Sequence, residues 1–150
     1  VNGGKDLDIT NALYEYPYID DEVKKLNNKL RWIISNKYET KVTASNSLTP
    51  RGKGISDPVY NAVEKIVEKY DIEILEIGEE INALLKWQNE LGAELKKLSH
   101  DQLQVIELRY FKKMGWDAVS RKMIYSTRQC HRKRDAALKK LRSGLGGDWN

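Results

Sequence analysis

Residues 98–141 read LSHDQLQVIELRYFKKMGWDAVSRKMIYSTRQCHRKRDAALKKL, and this stretch decides the fold. Ser99-His100-Asp101-Gln102 is a Ser-x-x-Gln capping box, in which hydroxyl and amide satisfy two backbone N–H groups at a helix start. Leu103, Ile106 and Tyr110 follow at helical spacing and line one face of a helix ending near Met114-Gly115. A short second helix runs from about Asp117 to Met123, with Trp116, Val119 and Met123 inward, and Ile124-Tyr125 makes a turn. Ser126-Thr127-Arg128-Gln129 repeats the box and opens a third helix ending near Leu141-Arg142. Two short helices, a tight turn and a capped, arginine-rich last member predict a DNA-reading helix-turn-helix over residues 99–142.

The charge distribution agrees with that expectation. Residues 1–56 carry nine Lys/Arg against seven Asp/Glu, residues 57–98 five against ten, and residues 99–142 twelve against four. A segment at +8 beside one at −5 is the asymmetry expected of a nucleic-acid reader with a non-binding arm. Seven Lys/Arg fall between Arg128 and Arg142. The first turns of this helix expose Thr127, Arg128, Gln129, His131 and Arg132 to base edges, where Arg suits guanine and Gln suits adenine. Lys133, Arg134, Lys139 and Lys140, with Arg121 and Lys122 on the preceding helix, are expected to hold phosphates. So is the helix N-terminus at Ser126.

Upstream, residues 57–98 carry the most regular pattern in the chain. Ser56-Asp57-Pro58 is a helix start. Tyr60, Val67, Ile74, Ile81, Gln88 and Leu95 then fall on heptad a positions, and Val63, Tyr70, Ile77, Leu84, Leu91 and Leu98 on d. Such a stripe predicts a long coiled-coil-like helix that needs a partner. One candidate partner is a second copy, with Val63, Val67, Tyr70, Ile74, Ile77, Ile81, Leu84, Gln88, Leu91 and Leu95 as the seam of a homodimer or higher homo-oligomer. The other is the amphipathic helix predicted at about 20–38, capped by Asp20, folding back within one chain. Residues 39–57, rich in Thr, Ser, Asn, Gly and Pro and including Arg51-Gly52-Lys53-Gly54, read as a linker. The Tyr14-Glu15-Tyr16-Pro17-Tyr18 cluster suits a loop or docking strand, and residues 143–150, with Trp149, a flexible tail. The expected architecture is therefore all-α: an N-terminal helix and linker (1–56), a long oligomerisation helix (57–98), a helix-turn-helix (99–142) and a tail.

Other chemistries find little footing. Apolar runs of at most three residues exclude a transmembrane helix and leave no membrane partner. The lone Cys130 and the distant His100 and His131 do not make a metal-ligand pattern, and neighbouring helical residues point about 100° apart, which defeats a Cys130–His131 dyad. No feature supports an enzyme or a cofactor.

The stretch from Leu98 to Leu141 resembles region 4 of bacterial sigma factors and, more closely, phage late-gene transcriptional regulators of the ArpU/RinA type. The likeness rests on Ile106-Glu107-Leu108-Arg109-Tyr110, Trp116-Asp117-Ala118-Val119, Tyr125-Ser126 and Ala136-Ala137-Leu138-Lys139-Lys140-Leu141. Gly54-Ile55-Ser56-Asp57-Pro58 before a long helix is also similar. The resemblance implies a phage or prophage activator in the bacterial cytoplasm, binding double-stranded DNA through Thr127, Arg128, His131 and Arg132. This sequence departs from the resembled pattern at Lys133, at Cys130 and at Ser120, where an aliphatic residue, a larger one and Ala are usual. A small-terminase-like DNA-packaging subunit and a sigma-like module docking on RNA polymerase are the alternatives, the latter using the acidic stripe.

Overall fold

The computed structural model describes residues 8–47 and 57–146, and every regular element among them is helical. In chain order these are α1 (Ile9–Glu15), a 3-10 turn (Tyr16–Tyr18), α2 (Ile19–Ser47), α3 (Asp57–Leu95), α4 (His100–Ile106), a π turn (Glu107–Phe111), α5 (Trp116–Met123) and α6 (Thr127–Leu145). The expectations for Arg51–Gly54, Ser56 and Trp149 lie outside the described residues. Two compact units emerge. One combines the chain up to Asp20 with the chain from Ala83 onward, and the other is Asp21–Asn82. The division falls inside the long helix and not at its end.

In the Asp21–Asn82 unit the greater parts of α2 and α3 lie side by side. Leu26 and Ile33 of α2 and Ile77 and Ile81 of α3 are buried, and Lys37 is ion-paired with Asp71. The long helix thus finds a partner inside its own chain. Val63, Val67, Tyr70 and Ile74 are half-buried beside the buried Ile77 and Ile81, and Leu84, Leu91 and Leu95 are buried in the other unit, with Gln88 half-buried. The heptad stripe expected to face a second copy is therefore largely covered by this one.

Helix α2 also runs nine residues beyond the expected end at residue 38. Its Thr-rich end holds no Gly or Pro, and Thr40 donates its hydroxyl to the Asn36 carbonyl at 2.8 Å, which lets a polar side chain sit inside a helix. The N-terminal tyrosine cluster is likewise helical, contrary to the loop or strand expected. Asp8 caps α1 by accepting from Thr10 N–H at 3.0 Å, and Ile9, Ala12 and Leu13 are buried. Pro17 does not break this run because it stands in the first turn of the 3-10 segment, where no N–H is required.

The second unit places α1 on the π turn and α6 on both α4 and α5. The Tyr14 ring meets Tyr110 edge-on at 5.1 Å, Tyr16 stacks on Phe111 at 5.4 Å, and Lys113 lies 5.0 Å from the Tyr18 ring. Gln88 donates to Asp20 at 2.8 Å. Val105, Leu108, Val119, Met123 and Cys130 form one core, with Met114, Trp116 and Tyr125 packed against it. The helix expected to run to Met114 instead widens at Glu107–Phe111. Lys112 N–H bonds the Glu107 carbonyl five residues back at 2.9 Å, and Arg109 closes the end by donating to the Met114 carbonyl at 3.0 Å.

Two glycines of α3 differ in what surrounds them. A Cβ on Gly78 would meet nothing within 4 Å, whereas one on Gly92 would stand 3.0 Å from the Tyr16 hydroxyl. Alanine is favoured over glycine by about 1 kcal/mol in a helix interior. Gly78→Ala is expected to raise the urea-unfolding free energy by about that amount. Gly92→Ala should return less, because Tyr16 must shift against Phe111; equal gains would mean that Tyr16 yields without cost.

Candidate nucleic-acid interface

The orientation of α6 follows from its buried residues. Cys130, Ala137, Leu138 and Leu141 are buried, and a helix advances 100° per residue, so the opposite side carries Arg128, Arg132, Asp135, Lys139 and Arg142 in one stripe. All five are exposed. No carboxylate pairs with Arg128, Arg132, Lys139 or Arg142 among the described residues. Unpaired, exposed cations at i, i+4, i+11 and i+14 on a helix with a well-defined start make a rigid line of positive charge.

The start itself is well built. Ser126 accepts from Gln129 N–H at 3.2 Å, and Gln129 Oε1 accepts from Ser126 N–H at 3.3 Å. The same reciprocal box opens α4 at Ser99 and Gln102. The preceding turn is tied by Ser120, whose backbone carbonyl accepts from Ile124 and Tyr125 N–H and whose hydroxyl donates to the Tyr125 carbonyl at 2.5 Å. That is the work of a serine at a position where the resembled pattern has alanine. Ile124 takes the left-handed conformation (φ 60°, ψ 36°) and is 89% exposed.

The expected site residues separate into groups. Arg128 and Arg132 stand free, and Thr127 is half-buried beside them. Gln129 is exposed, but its amide oxygen is committed to the cap. His131 is half-buried against Trp116, ring centres 4.1 Å apart, and its Nδ1 is 3.4 Å from Arg134 Nη2. Arg134 itself lies over the Trp116 ring at 5.0 Å and bonds Asp135 at 2.6 Å. Arg109 lies 4.9 Å from the same ring, so the indole is flanked by two guanidiniums.

Lys133 is the clearest departure from its expected role. Its ammonium donates to Asp101 Oδ2 at 3.0 Å and lies 4.5 Å from the Tyr125 ring, while the Tyr125 hydroxyl donates to the same carboxylate oxygen at 3.0 Å. The long stem crosses the edge of the core and the charge is matched at its end, so a cation fits where an aliphatic residue is usual. This three-residue lock joins α4, the turn and α6. It spans 32 residues, and no local periodicity signals it. Arg121, Lys122, Lys139 and Lys140 are exposed, Arg121 donating to the Asp117 carbonyl and Lys140 to Gln102.

Electrostatics follow the same partition. Hydrogen bonds from Lys133 and Tyr125 hold the Asp101 carboxyl below its ordinary range, and the Asp101 partner raises Lys133. Burial pushes the Cys130 thiol up, which keeps it protonated and unreactive. Among the described residues no group of three His, Cys, Asp or Glu side chains could hold a metal ion, and no helix is long and apolar enough to cross a membrane.

A carboxyl held low when folded contributes stability above its unfolded pKa, and this is lost as pH falls through the folded value. Asp101→Asn is therefore expected to lower the melting temperature near pH 7, with the gap to the parent closing as pH falls below the ordinary carboxylate range. The raised Lys133 acts at the other end, its contribution fading only above its ordinary alkaline range. Circular-dichroism melts of both chains across pH check this, and a gap that persists in strong acid would show that the carboxylate charge is not what holds the lock.

A family model described as a protein of unknown function (DUF722) matches residues 33–143. No curated protein and no solved structure matches the chain.

Proposed function

The chain belongs to the DUF722 family, and we propose that it is a sequence-specific regulator of transcription that binds double-stranded DNA. In this reading α5, the Ile124–Tyr125 turn and α6 are a helix-turn-helix, and α6 enters the major groove. The observation that carries it is the outward stripe of Arg128, Arg132, Lys139 and Arg142, exposed and without carboxylate partners among the described residues.

Phosphate neutralisation needs free cations, and base reading needs Arg side chains that can present both guanidinium donors to guanine O6 and N7. Arg128 and Arg132 meet that need near the start of α6, where a recognition helix makes its base contacts. Lys139 and Arg142 continue the line toward the helix end, suited to the backbone. Asp135 interrupts the stripe with a carboxylate that can accept from cytosine N4 and that disfavours indiscriminate tracking along phosphates. Lys133, Arg134 and His131 serve the lock and the Trp116 stack in this reading, so phosphate contacts rest on Arg121, Lys122, Lys139 and Lys140 with the capped start at Ser126. The resemblance to phage late-gene regulators supports a late-gene activator in the cytoplasm of a bacterial host.

Selection and sequencing of genomic fragments retained by the purified protein at about 150 mM salt tests the proposal, with enrichment of a few promoter-proximal sites expected. On an enriched site, Arg128→Ala or Arg132→Ala should cost about 1–3 kcal/mol and relax the sequence preference. Lys139→Ala should weaken all sequences alike and reduce the salt slope by about one. Equal losses on every sequence for all three changes would remove the base-reading assignment, and uniform retention of genomic DNA would remove sequence specificity altogether.

A further inference from the structure

The Asp21–Asn82 unit leaves two faces uncovered. On α2, Trp32 is 66% and Tyr38 70% exposed; on α3, Ile72 is 57% and Leu75 66% exposed. At 100° per residue all four lie well away from the buried stripes, which run through Leu26 and Ile33 on α2 and through Ile77 and Ile81 on α3. Ile72 and Leu75 mark the outer face of α3, and Trp32 and Tyr38 mark the two flanks of the outer side of α2, about 120° apart; those sides sit on opposite edges of the unit.

The charges around them are opposite in sign. Residues 21–47 of α2 carry six Lys/Arg and three Asp/Glu, while residues 57–82 of α3 carry eight Asp/Glu and two Lys, balances of +3 and −6. Lys24 and Arg31 share the outer side of α2 with Tyr38, Glu39 lies beside Trp32, and Glu68, Glu76 and Glu79 surround Ile72 and Leu75 together with Lys65 and Lys69. Lys37–Asp71 is the one ion pair between the two sets among the described residues. Each face thus exposes apolar side chains amid a predominance of one charge, and the other face supplies apolar surface and the opposite predominance. Because the faces point away from each other, one chain cannot join them.

We propose that a second copy of this chain joins them: the aromatic, basic outer face of α2 docks on the aliphatic, acidic outer face of α3 of the next copy. The contact is heterologous, so each copy keeps one face free after pairing. Such contacts close into rings or extend as filaments and do not stop at a two-fold dimer. The proposal does not depend on the DNA-binding reading, and its test involves no DNA.

The test uses the full chain and its molar mass by light scattering. Trp32→Glu with Tyr38→Glu removes the α2 face, and Ile72→Lys with Leu75→Lys removes the α3 face; the positions are exposed, and far-UV circular dichroism verifies that helix content is kept. If a pair disturbs folding, Tyr38→Glu and Leu75→Lys alone take its place. The parent is expected to form particles of more than two chains that shrink as salt screens the charges. Each variant alone should be monomeric, and an equimolar mixture of the two should form a particle of two chains, since each retains the face the other lacks. A monomeric parent, which would give these faces to a different protein, overturns the proposal. So does a variant that still assembles alone, or a mixture that stays monomeric.

Discussion

The exposed basic stripe of the C-terminal half depends on the packing of α6 against α4 and α5. The small side chains of Cys130 and Ala137 let that helix approach its neighbours closely, and Leu138 and Leu141 complete its buried side. Once those residues are inside, helical geometry leaves no choice about the rest, and Arg128, Arg132, Lys139 and Arg142 must face out. A rotation by a single residue would bury a guanidinium and expose the core, at a cost of several kcal/mol. The stripe is thus set by the apolar residues behind it as much as by the cations themselves.

The parts of this arrangement that rest on local rules were readable from the chain. Both Ser-x-x-Gln boxes cap as expected, and the starts of α4, α5 and α6 fall within about a residue of their predicted places. The long helix starts where the Asp-Pro pair places it. Readings that needed tertiary information fared differently. Lys133 and Arg134 look like phosphate ligands in a basic run, yet Asp101 and Trp116, distant in sequence, occupy them. The heptads of α3 were clear, but periodicity states only that a stripe must be covered, and α2 does much of the covering. Pro17 and the tyrosines around it hid α1, although Asp8 followed by Ile9, Ala12 and Leu13 is a cap and a helical spacing.

The aromatic residues explain why that first helix matters. Tyr14 and Tyr16 reach Tyr110 and Phe111 on the π turn, where the helix is widened and its side chains are re-aimed. The α1 segment lies ahead of the stretch matched by the family model, yet it supplies three buried residues to the same unit as α6. Burial of Tyr110 raises its hydroxyl pKa, and the nearby Arg134 partly offsets this. Tyr110 thus meets the N-terminal helix through Tyr14 and lies near Arg134 of the basic helix.

The two helices of the Asp21–Asn82 unit have a consequence of a different kind. Their charges, +3 over residues 21–47 and −6 over residues 57–82 with Arg51 and Lys53 between, nearly cancel in total but not in position. Such a body has almost no monopole and a large transverse dipole. In the field of any polyanion such a body would feel little net pull and a strong torque, turning α2 toward the negative charge and α3 away. Neutrality here is not electrical indifference: the unit orients in a field that barely attracts it.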